Sequence, residues 1–325
     1  MRLKLVPDVT NVDFFRTSPI TFGISCIAVI ASIVLFFVNG LNYGIDFKGG
    51  TMMTVATPQV VEIADYRTVM AELDVGEVAV NEIFDPAAKI NDSVPNQVTI
   101  RIVEQGEDEE IQLKTIADAR AALEAAFPGI IFLSVDSVGG KVSGELVWSA
   151  IEAVVIAVAA VLFYIWLRFE WQFAVGAVIA LVHDVAITIG IFAFTQMEFN
   201  LTIIAALLTI VGYSLNDTVV VFDRVRENLR RYKSMELKEV LNKSINETLS
   251  RTVMTSGTTL VALIALYVLG GSVIRGFTFA MIWGIVVGTY SSVFVASAIL
   301  LRLGVKRDWS KPDGEAGTQF ANVDA

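Results

Sequence analysis

The chain has 325 residues, of which 54% are hydrophobic and only 18% are charged, and its net charge is −10. This apolar content exceeds what the core of a soluble domain of this length needs, so it indicates a membrane protein whose apolar spans alternate with polar blocks. The negative charge argues against a nucleic-acid-binding protein, whose phosphate-contacting surface is basic. The single cysteine excludes an intrachain disulfide.

Six apolar segments approach the length of about 20 residues that a helix needs to cross a bilayer. They lie at 20–38, 146–167, 172–195, 199–222, 252–270 and 277–301. The first follows a basic stretch, as the apolar core of a signal peptide does. It is too long for such a core, however, and no small-x-small cleavage site follows it. We therefore predict a retained membrane helix after a cytoplasmic N-terminus at 1–19.

Basic residues concentrate on one side of the predicted spans. The connection at 223–251 contains eight Lys and Arg residues, whereas the short connections on the opposite side contain only Arg275. The positive-inside rule then places both termini, including a polar tail at 304–325, in the cytoplasm. The long segment 40–145 is expected outside, and residues 146–303 are expected to form a bundle of five membrane helices.

The exported segment has the pattern of a separate α+β domain. Strand-like runs occur at 51–57, 77–84, 97–103 and 130–136, and helical spacing occurs near 62–74 and 108–127. The order β-α-β-β-α-β predicts a ferredoxin-like fold. The segment has no cysteine or histidine, so we expect neither an iron–sulfur cluster nor a zinc site in it. Its 18 acidic residues against 7 basic ones are typical of a solvated surface.

The cytoplasmic connection carries an amphipathic stretch at 236–249. Its apolar residues recur at helical spacing: Leu237, Val240, Leu241, Ile245 and Leu249. Such a face lies either on the membrane surface or against a neighbouring helix, and the sequence leaves both arrangements open.

Ionisable side chains inside the apolar spans are the strongest functional signal. An Asp or Arg at the centre of a span costs about 2.5 to 3.5 kcal/mol on insertion, so such residues are usually functional. The third span contains His183 and Asp184 about halfway along, and the fourth contains Asp217 near its cytoplasmic end. Arg251 begins the fifth span on the same side. We expect Asp217 and Arg251 to lie at similar depth, where they would form an ion pair.

Polar neighbours and structural alternatives accompany these residues. Ser214, Asn216 and Thr218 surround the fourth-span aspartate with groups that would relay a proton or hold water. Arg251 would also be explained by snorkelling to the interface, and the His183–Asp184 pair by a satisfied structural contact. Carboxylates near the predicted span ends are interpreted as interfacial groups: Glu145, Glu152 and Glu198.

No signature of a soluble enzyme is present. The sequence lacks a P-loop, a glycine-rich dinucleotide turn and a Cys/His metal spacing. Two aspartates on adjacent spans also suit an intramembrane aspartyl protease, but the Gly-x-Gly-Asp element of those enzymes is replaced here by residues 214–217. We therefore predict a transport subunit rather than an enzyme, with no cofactor.

Four motifs resemble the SecD/SecF family of protein-export membrane proteins, in particular its SecF members. They are YGIDFKGGT at 43–51, LVHDV at 181–185, VGYSLNDTVVVFDRVREN at 211–228 and SRTVMTSGTT at 250–259. In the first motif, which includes Asp46, we expect Gly44, Gly49 and Gly50 to permit the tight backbone between the membrane helix and the β-domain.

The resemblance implies a fold and a set of partners. It implies an α-helical polytopic membrane protein with six transmembrane helices, equivalent to half of an RND-superfamily transporter, and one ferredoxin-like periplasmic domain. It implies pairing with SecD, association with the SecYEG channel, SecA and YajC, and a location in the bacterial inner membrane. The proton-motive force would then promote translocation of unfolded polypeptides, with Asp217 and Arg251 conducting protons and with Asp184 and its neighbour His183 as further participants.

Two other functions remain open on the sequence. One is a subunit of an RND-type small-molecule exporter, although such exporters usually combine two large exported domains and twelve spans in one chain. The other is a passive assembly factor of the translocon whose acidic domain only binds clients or subunits.

Overall fold

The computed structural model of the chain describes residues 10–73, 75–83, 96–103, 109–271 and 273–305. The predicted tail at 304–325 lies outside the described residues except for its first two positions, and so does Phe84 at the end of one predicted strand. In chain order the elements are α1 Ser18–Asn39, β1 Asn42–Tyr43, α2 Ile45–Lys48, β2 Gly50–Ala56, α3 Ile63–Ala71, β3 Val78–Glu82, β4 Gln97–Ile102, α4 Glu109–Ala126, β5 Ile131–Val138, α5 Gly140–Arg168, α6 Trp171–Thr195, β6 Glu198–Phe199, α7 Leu201–Arg231, α8 Leu237–Leu269, α9 Arg275–Ser291, a π-helix Ser292–Ala296 and α10 Ser297–Leu303.

Six helices in the described part of the chain are long and apolar enough to cross a membrane. They are α1, α5, α6, α7, α8 and the continuous run of α9, the π-helix and α10. The six predicted spans are therefore confirmed. Three of the helices, α5, α7 and α8, extend beyond the predicted spans by a turn or more, because the backbone hydrogen bonds of a helix continue through polar residues.

The sheet domain, residues 50–138, is a four-stranded sheet with two helices. The strand order is β3-β4-β2-β5, and each neighbouring pair is antiparallel. Its core combines strand residues such as Met53 and Ile100 with Tyr66 of α3 and Leu123 of α4, all of which are fully buried. The predicted β-α-β-β-α-β order and ferredoxin-like topology are confirmed, because alternation within each strand directs one face toward the helices.

A second, smaller sheet joins the exported segment to the helix bundle. Strand β1 pairs in parallel with β6, with Asn42 opposite Glu198 and Tyr43 opposite Phe199. Just beyond it, Gly49 and Gly50 have φ angles of 69° and 111°, which residues other than glycine rarely adopt. The expectation for these two glycines is confirmed. It is wrong for Gly44, whose φ of −72° suits any residue.

The connection predicted at 223–251 is mostly helical, which corrects the sequence interpretation. Helix α7 continues to Arg231, and α8 begins at Leu237 and runs without interruption to Leu269. The predicted amphipathic stretch is the first part of α8, where Val240, Leu241 and Ile245 are buried in the core of the bundle. Of the two arrangements that the sequence left open, the structure shows the one in which this face packs against neighbouring helices.

Small residues bring the membrane helices close together. Gly284 of α9 lies against Ile210 of α7, and Gly288 lies against Ser214 one turn further along. In a bilayer, where lipid tails do not drive apolar surfaces together, such contacts let helix backbones approach and polar side chains meet. These close contacts bring Asp184 and Asp217 against hydroxyl groups of other helices.

Candidate functional site: two buried aspartates in the helix bundle

Asp217 is held by hydroxyl groups from two other parts of the bundle. The side chain, on α7, is 8% exposed. Its Oδ1 accepts a hydrogen bond from Thr252 Oγ1 of α8 at 2.6 Å, and its Oδ2 accepts one from Ser292 Oγ of the π-helix. Burial of a carboxylate costs free energy unless the group is hydrogen bonded, so these two donors offset the cost of burying Asp217. The side chain faces the bundle, away from lipid.

Asp184 forms a second, deeper site. The carboxylate on α6 is 1% exposed, and its Oδ2 accepts hydrogen bonds from Ser214 of α7 and Ser291 of α9. Its Oδ1 lies 2.9 Å from Nδ1 of the adjacent His183. The other ring nitrogen, Nε2, is buried without a hydrogen-bond partner among the described residues. The imidazole ring stacks against Tyr290, with centroids 6.2 Å apart.

The two sites are joined through consecutive serines. Ser291 ends α9 and binds Asp184, whereas Ser292 begins the π-helix and binds Asp217. A π-helix is rare, and single π turns inside α-helices are frequent at functional sites. Any change in the position of this turn affects both carboxylates. Within the described residues, no group of three or more His, Cys, Asp or Glu side chains could hold a metal ion.

Comparison with known proteins identifies the family. Residues 118–306 match the model described as "Protein export membrane protein SecD/SecF, C-terminal", and residues 34–57 match the "SecD/SecF GG Motif". The chain is 54% identical, over 324 residues, to protein translocase subunit SecF of Cereibacter sphaeroides, covering 100% of this chain and 99% of that protein. The chain belongs to the SecD/SecF family.

Fused members of the SecD/SecF family are similar over part of their length. Protein translocase subunit SecDF of Brucella abortus is 44% identical over 94% of this chain and 39% of that protein. The crystal structure of SecDF, a translocon-associated membrane protein from Thermus thermophilus, aligns with a TM-score of 0.81 and 33% identity. That alignment covers 93% of this chain and 40% of the other. The chain therefore spans about two fifths of these fused relatives.

The structure groups the polar neighbours of Asp217 on the fourth span differently from the sequence expectation. Ser214 does contact a buried carboxylate, but that of Asp184 rather than that of Asp217. Thr218 is buried, and no hydrogen bond from its side chain reaches either aspartate in the described residues. Asn216 is exposed on the outer face of α7, because a helix rotates each successive residue by about 100°.

The expected ion pair between Asp217 and Arg251 is absent among the described residues. Arg251 is exposed, and the neighbouring Thr252 occupies the position on α8 that faces Asp217. The arginine precedes that threonine by one residue, so its side chain leaves the helix in a different direction. An exposed guanidinium also avoids the cost of burial.

The sequence interpretation missed three hydroxyl donors: Thr252, Ser291 and Ser292. It considered only hydroxyls near the aspartate on the same helix. A signal was available, because residues 289–292 form a run of four polar side chains within the largely apolar sixth span, and polar groups in a membrane helix usually bond across helices.

The first SecD/SecF motif contacts β6 and the start of α7. The Asp46 carboxylate accepts a hydrogen bond from Leu201 N–H at 2.9 Å, and Gly44 N–H donates to Phe199 O at the same distance. The Glu198 carboxylate lies against Gly44: a Cβ there would be 2.5 Å from Glu198 Oε1, so the flexible Glu198 side chain would have to move, and it would be 3.2 Å from Asn200 Cβ. Close approach, and not backbone freedom, explains this glycine.

Proposed function

We propose that this chain is the SecF subunit of the protein translocase and that, together with SecD, it uses the proton-motive force to promote translocation of polypeptides across the inner membrane. The relatives named SecF that match it along their whole length support this function. The fused SecDF relatives support a SecD partner. In one polypeptide they carry a region similar to this chain and additional sequence that makes up about three fifths of their length. The observation that carries the proton-driven part is the pair of buried aspartates joined by Ser291 and Ser292.

Protonation of Asp217 changes its hydrogen bonding with two other helices. The ionised carboxylate accepts from Thr252 and Ser292 at once, whereas the neutral acid turns one oxygen into a donor. One hydroxyl then loses its acceptor or must rotate to accept. The contact between α7 and either α8 or the π-helix is thereby weakened, and the packing of the bundle changes.

The proton-motive force supplies free energy of the size that this change in hydrogen bonding requires. One charge crossing 100 mV is worth about 2.3 kcal/mol, and each unit of pH difference adds about 1.36 kcal/mol per proton. A hydrogen bond to a charged group contributes about 1.5–3 kcal/mol. One proton thus carries enough energy to exchange one of these hydrogen bonds.

His183, Asp184 and Arg251 have supporting roles in this proposal. With Nδ1–H donated to Asp184, His183 Nε2 is left as a buried acceptor for a proton. A rotation of α8 by about 100°, one residue, would turn Arg251 toward the position that Thr252 now occupies. Arg251 would then compensate the charge of Asp217 in a second arrangement of the bundle.

The membrane arrangement and the remaining partners belong to the same proposal. Both termini are cytoplasmic, and the sheet domain is periplasmic, as the distribution of Lys and Arg favours. SecYEG, SecA and YajC are proposed as partners because the motifs of this chain resemble those of a family that works with them.

Depletion of the chain tests the function. Maturation of exported precursor proteins should slow, while resistance to small toxic compounds stays unchanged. The assay is pulse-labelled precursor processing, with toxic-compound sensitivity measured in the same cells. Normal processing in a hypersensitive strain would overturn the proposal in favour of a small-molecule exporter. Purification from native membranes should also recover SecD.

A further inference from the structure

The junction between the sheet domain and α7 contains a carboxyl group that the proposed mechanism does not use. Glu198 lies in β6, outside the membrane helices, and its side chain is half-buried against Gly44. The sequence interpretation treated it as an ordinary interfacial carboxylate. In the structure it is enclosed where β1 and β6 pair, next to the Asp46 carboxylate that receives the Leu201 N–H.

Charged groups from several elements face Glu198. Arg101 of β4 donates to Asn42 Oδ1 at 3.1 Å and to the Tyr43 carbonyl, and it forms no ion pair with Glu198 among the described residues. Asp46 of α2 and the more distant Asp136 of β5 add negative charge. The guanidinium therefore hydrogen bonds to β1 and also attracts an ionised Glu198, and this attraction is larger than the repulsion from Asp46.

Burial has the largest effect on the pKa of Glu198. Loss of solvation raises the pKa of Glu198 above its ordinary value of 4.5, and the two aspartates raise it further. Arg101 and a hydrogen bond with the Asn200 side chain act in the opposite direction and offset this only in part. Within the folded protein the neutral form is favoured over a wider pH range than in the unfolded chain.

We propose that Glu198 is a further proton-binding site of this protein, and that binding of a proton there tightens the junction between the sheet domain and α7. A neutral carboxyl group avoids the cost of a buried charge beside Gly44 and the repulsion with Asp46, and together these outweigh the attraction to Arg101 that it gives up. An ionised one restores both and loosens the β1–β6 contact. The ligand is the proton itself, so the position of the sheet domain responds to the pH of the solution that bathes it.

This site is separate from Asp217 and Asp184. It lies before the first residue of α7, whereas those aspartates lie within the membrane helices. The proposal does not depend on protein export, and it is tested without translocation. The proposed proton binding at Glu198 would still hold if the chain had another transport function.

The first test is the pH dependence of thermal stability of the full chain in lipid nanodiscs. A group with a raised pKa stabilises the folded state below its ordinary value of 4.5, and this contribution is lost as pH rises through the raised pKa. The Tm of the unmodified chain should therefore fall as pH rises from about 4.5 through the raised pKa of Glu198. The Tm of Glu198→Gln, whose side chain is always neutral, should not show this fall. The control Glu145→Gln, an exposed carboxyl at the start of α5, should keep the fall. A fall of equal size in Glu198→Gln would overturn the proposal.

The second test measures the junction itself. Spin labels at Ala117→Cys on α4 and Ala265→Cys on α8, both exposed positions, are placed in a Cys26→Ser background. The distance distribution in the unmodified junction should broaden as pH rises, and that of Glu198→Gln should stay narrow. Glu198→Asp, whose shorter side chain withdraws the carboxylate from Gly44, should broaden at lower pH than the unmodified junction. A pH-independent distribution in the unmodified junction would contradict the proposal even if the Gln variant failed to fold.

Discussion

Asp217 is the residue whose chemistry matters most in the proposed mechanism. Asp217→Asn removes the titratable group but keeps its shape, and Thr252 and Ser292 can still hydrogen bond to it because hydroxyls both donate and accept. We expect stability to change by no more than about 1 kcal/mol, with stimulation of export by the proton-motive force abolished. The measurement is export into membrane vesicles with and without the proton-motive force.

Two comparisons make that experiment decisive. Glu145→Gln, at an exposed carboxyl group, should keep full stimulation. The abundance of the complex and the Tm of the purified protein separate a lost proton site from lost folding. Full stimulation in Asp217→Asn would exclude the proposed role of this carboxylate.

Gly44 supplies a second prediction about a single residue. Its backbone suits alanine, so Gly44→Ala should be harmful only through the contact of the new Cβ with Glu198 and, less severely, with Asn200. We expect a loss of about 1 kcal/mol of unfolding free energy, at the low end for overpacking, because the end of the Glu198 side chain can move. Adding Glu198→Ala should recover most of it. Gly144→Ala, where nothing lies within 4 Å of the new Cβ, is the control. Equal losses with and without Glu198 would contradict the explanation.

Helix packing depends on the contact between α9 and α7. A Cβ at Gly284 would collide with the side chain of Ile210, so Gly284→Ala should force the two helices apart. The expected cost is about 1–3 kcal/mol. Because Ser291 and Ser292 follow on the same helix, both aspartates should also lose hydrogen bonds. Thermal unfolding of the purified chain measures the first effect.

Gly212→Ala is the matched control for this element. It lies on α7 with nothing within 4 Å of the new Cβ, so it should be neutral or stabilise by up to about 1 kcal/mol through helix propensity. A Gly284 variant as stable as the Gly212 variant would show that close approach of α9 and α7 is not needed for the fold.

The whole molecule combines an apolar bundle with a sheet domain that has its own core. The buried residues of the sheet domain, including Met53, Tyr66 and Leu123, form a cluster separate from those of the membrane helices. A fragment of residues 45–140 should therefore fold alone in water, with four strands and two helices. Circular dichroism and amide exchange test this, and an unfolded or mainly helical fragment would contradict it.

Local patterns in the sequence were enough to predict the six membrane helices and the elements of the sheet domain. The six spans follow from uninterrupted apolar runs, the ferredoxin-like order from alternation within short segments, and the unusual character of Asp184 and Asp217 from the cost of charge in a membrane. Each of these is a property of neighbouring residues. These features could be predicted for that reason. The conformations of Gly49 and Gly50 could be predicted as well, because a backbone angle depends on the residue itself and its neighbours in the chain.

Tertiary structure alone decided which groups meet. Ser291 lies 107 residues from Asp184, and Ser292 lies 75 residues from Asp217, so no local pattern pairs them. The same holds for Glu198 and Gly44, which β1 and β6 bring together. Arg251 and Thr252 are neighbours in sequence, yet the rotation of α8 directs only the threonine to Asp217. Helix rotation and close packing are set by all the side chains of the bundle at once, so the partners of the buried carboxylates appear only in the folded protein.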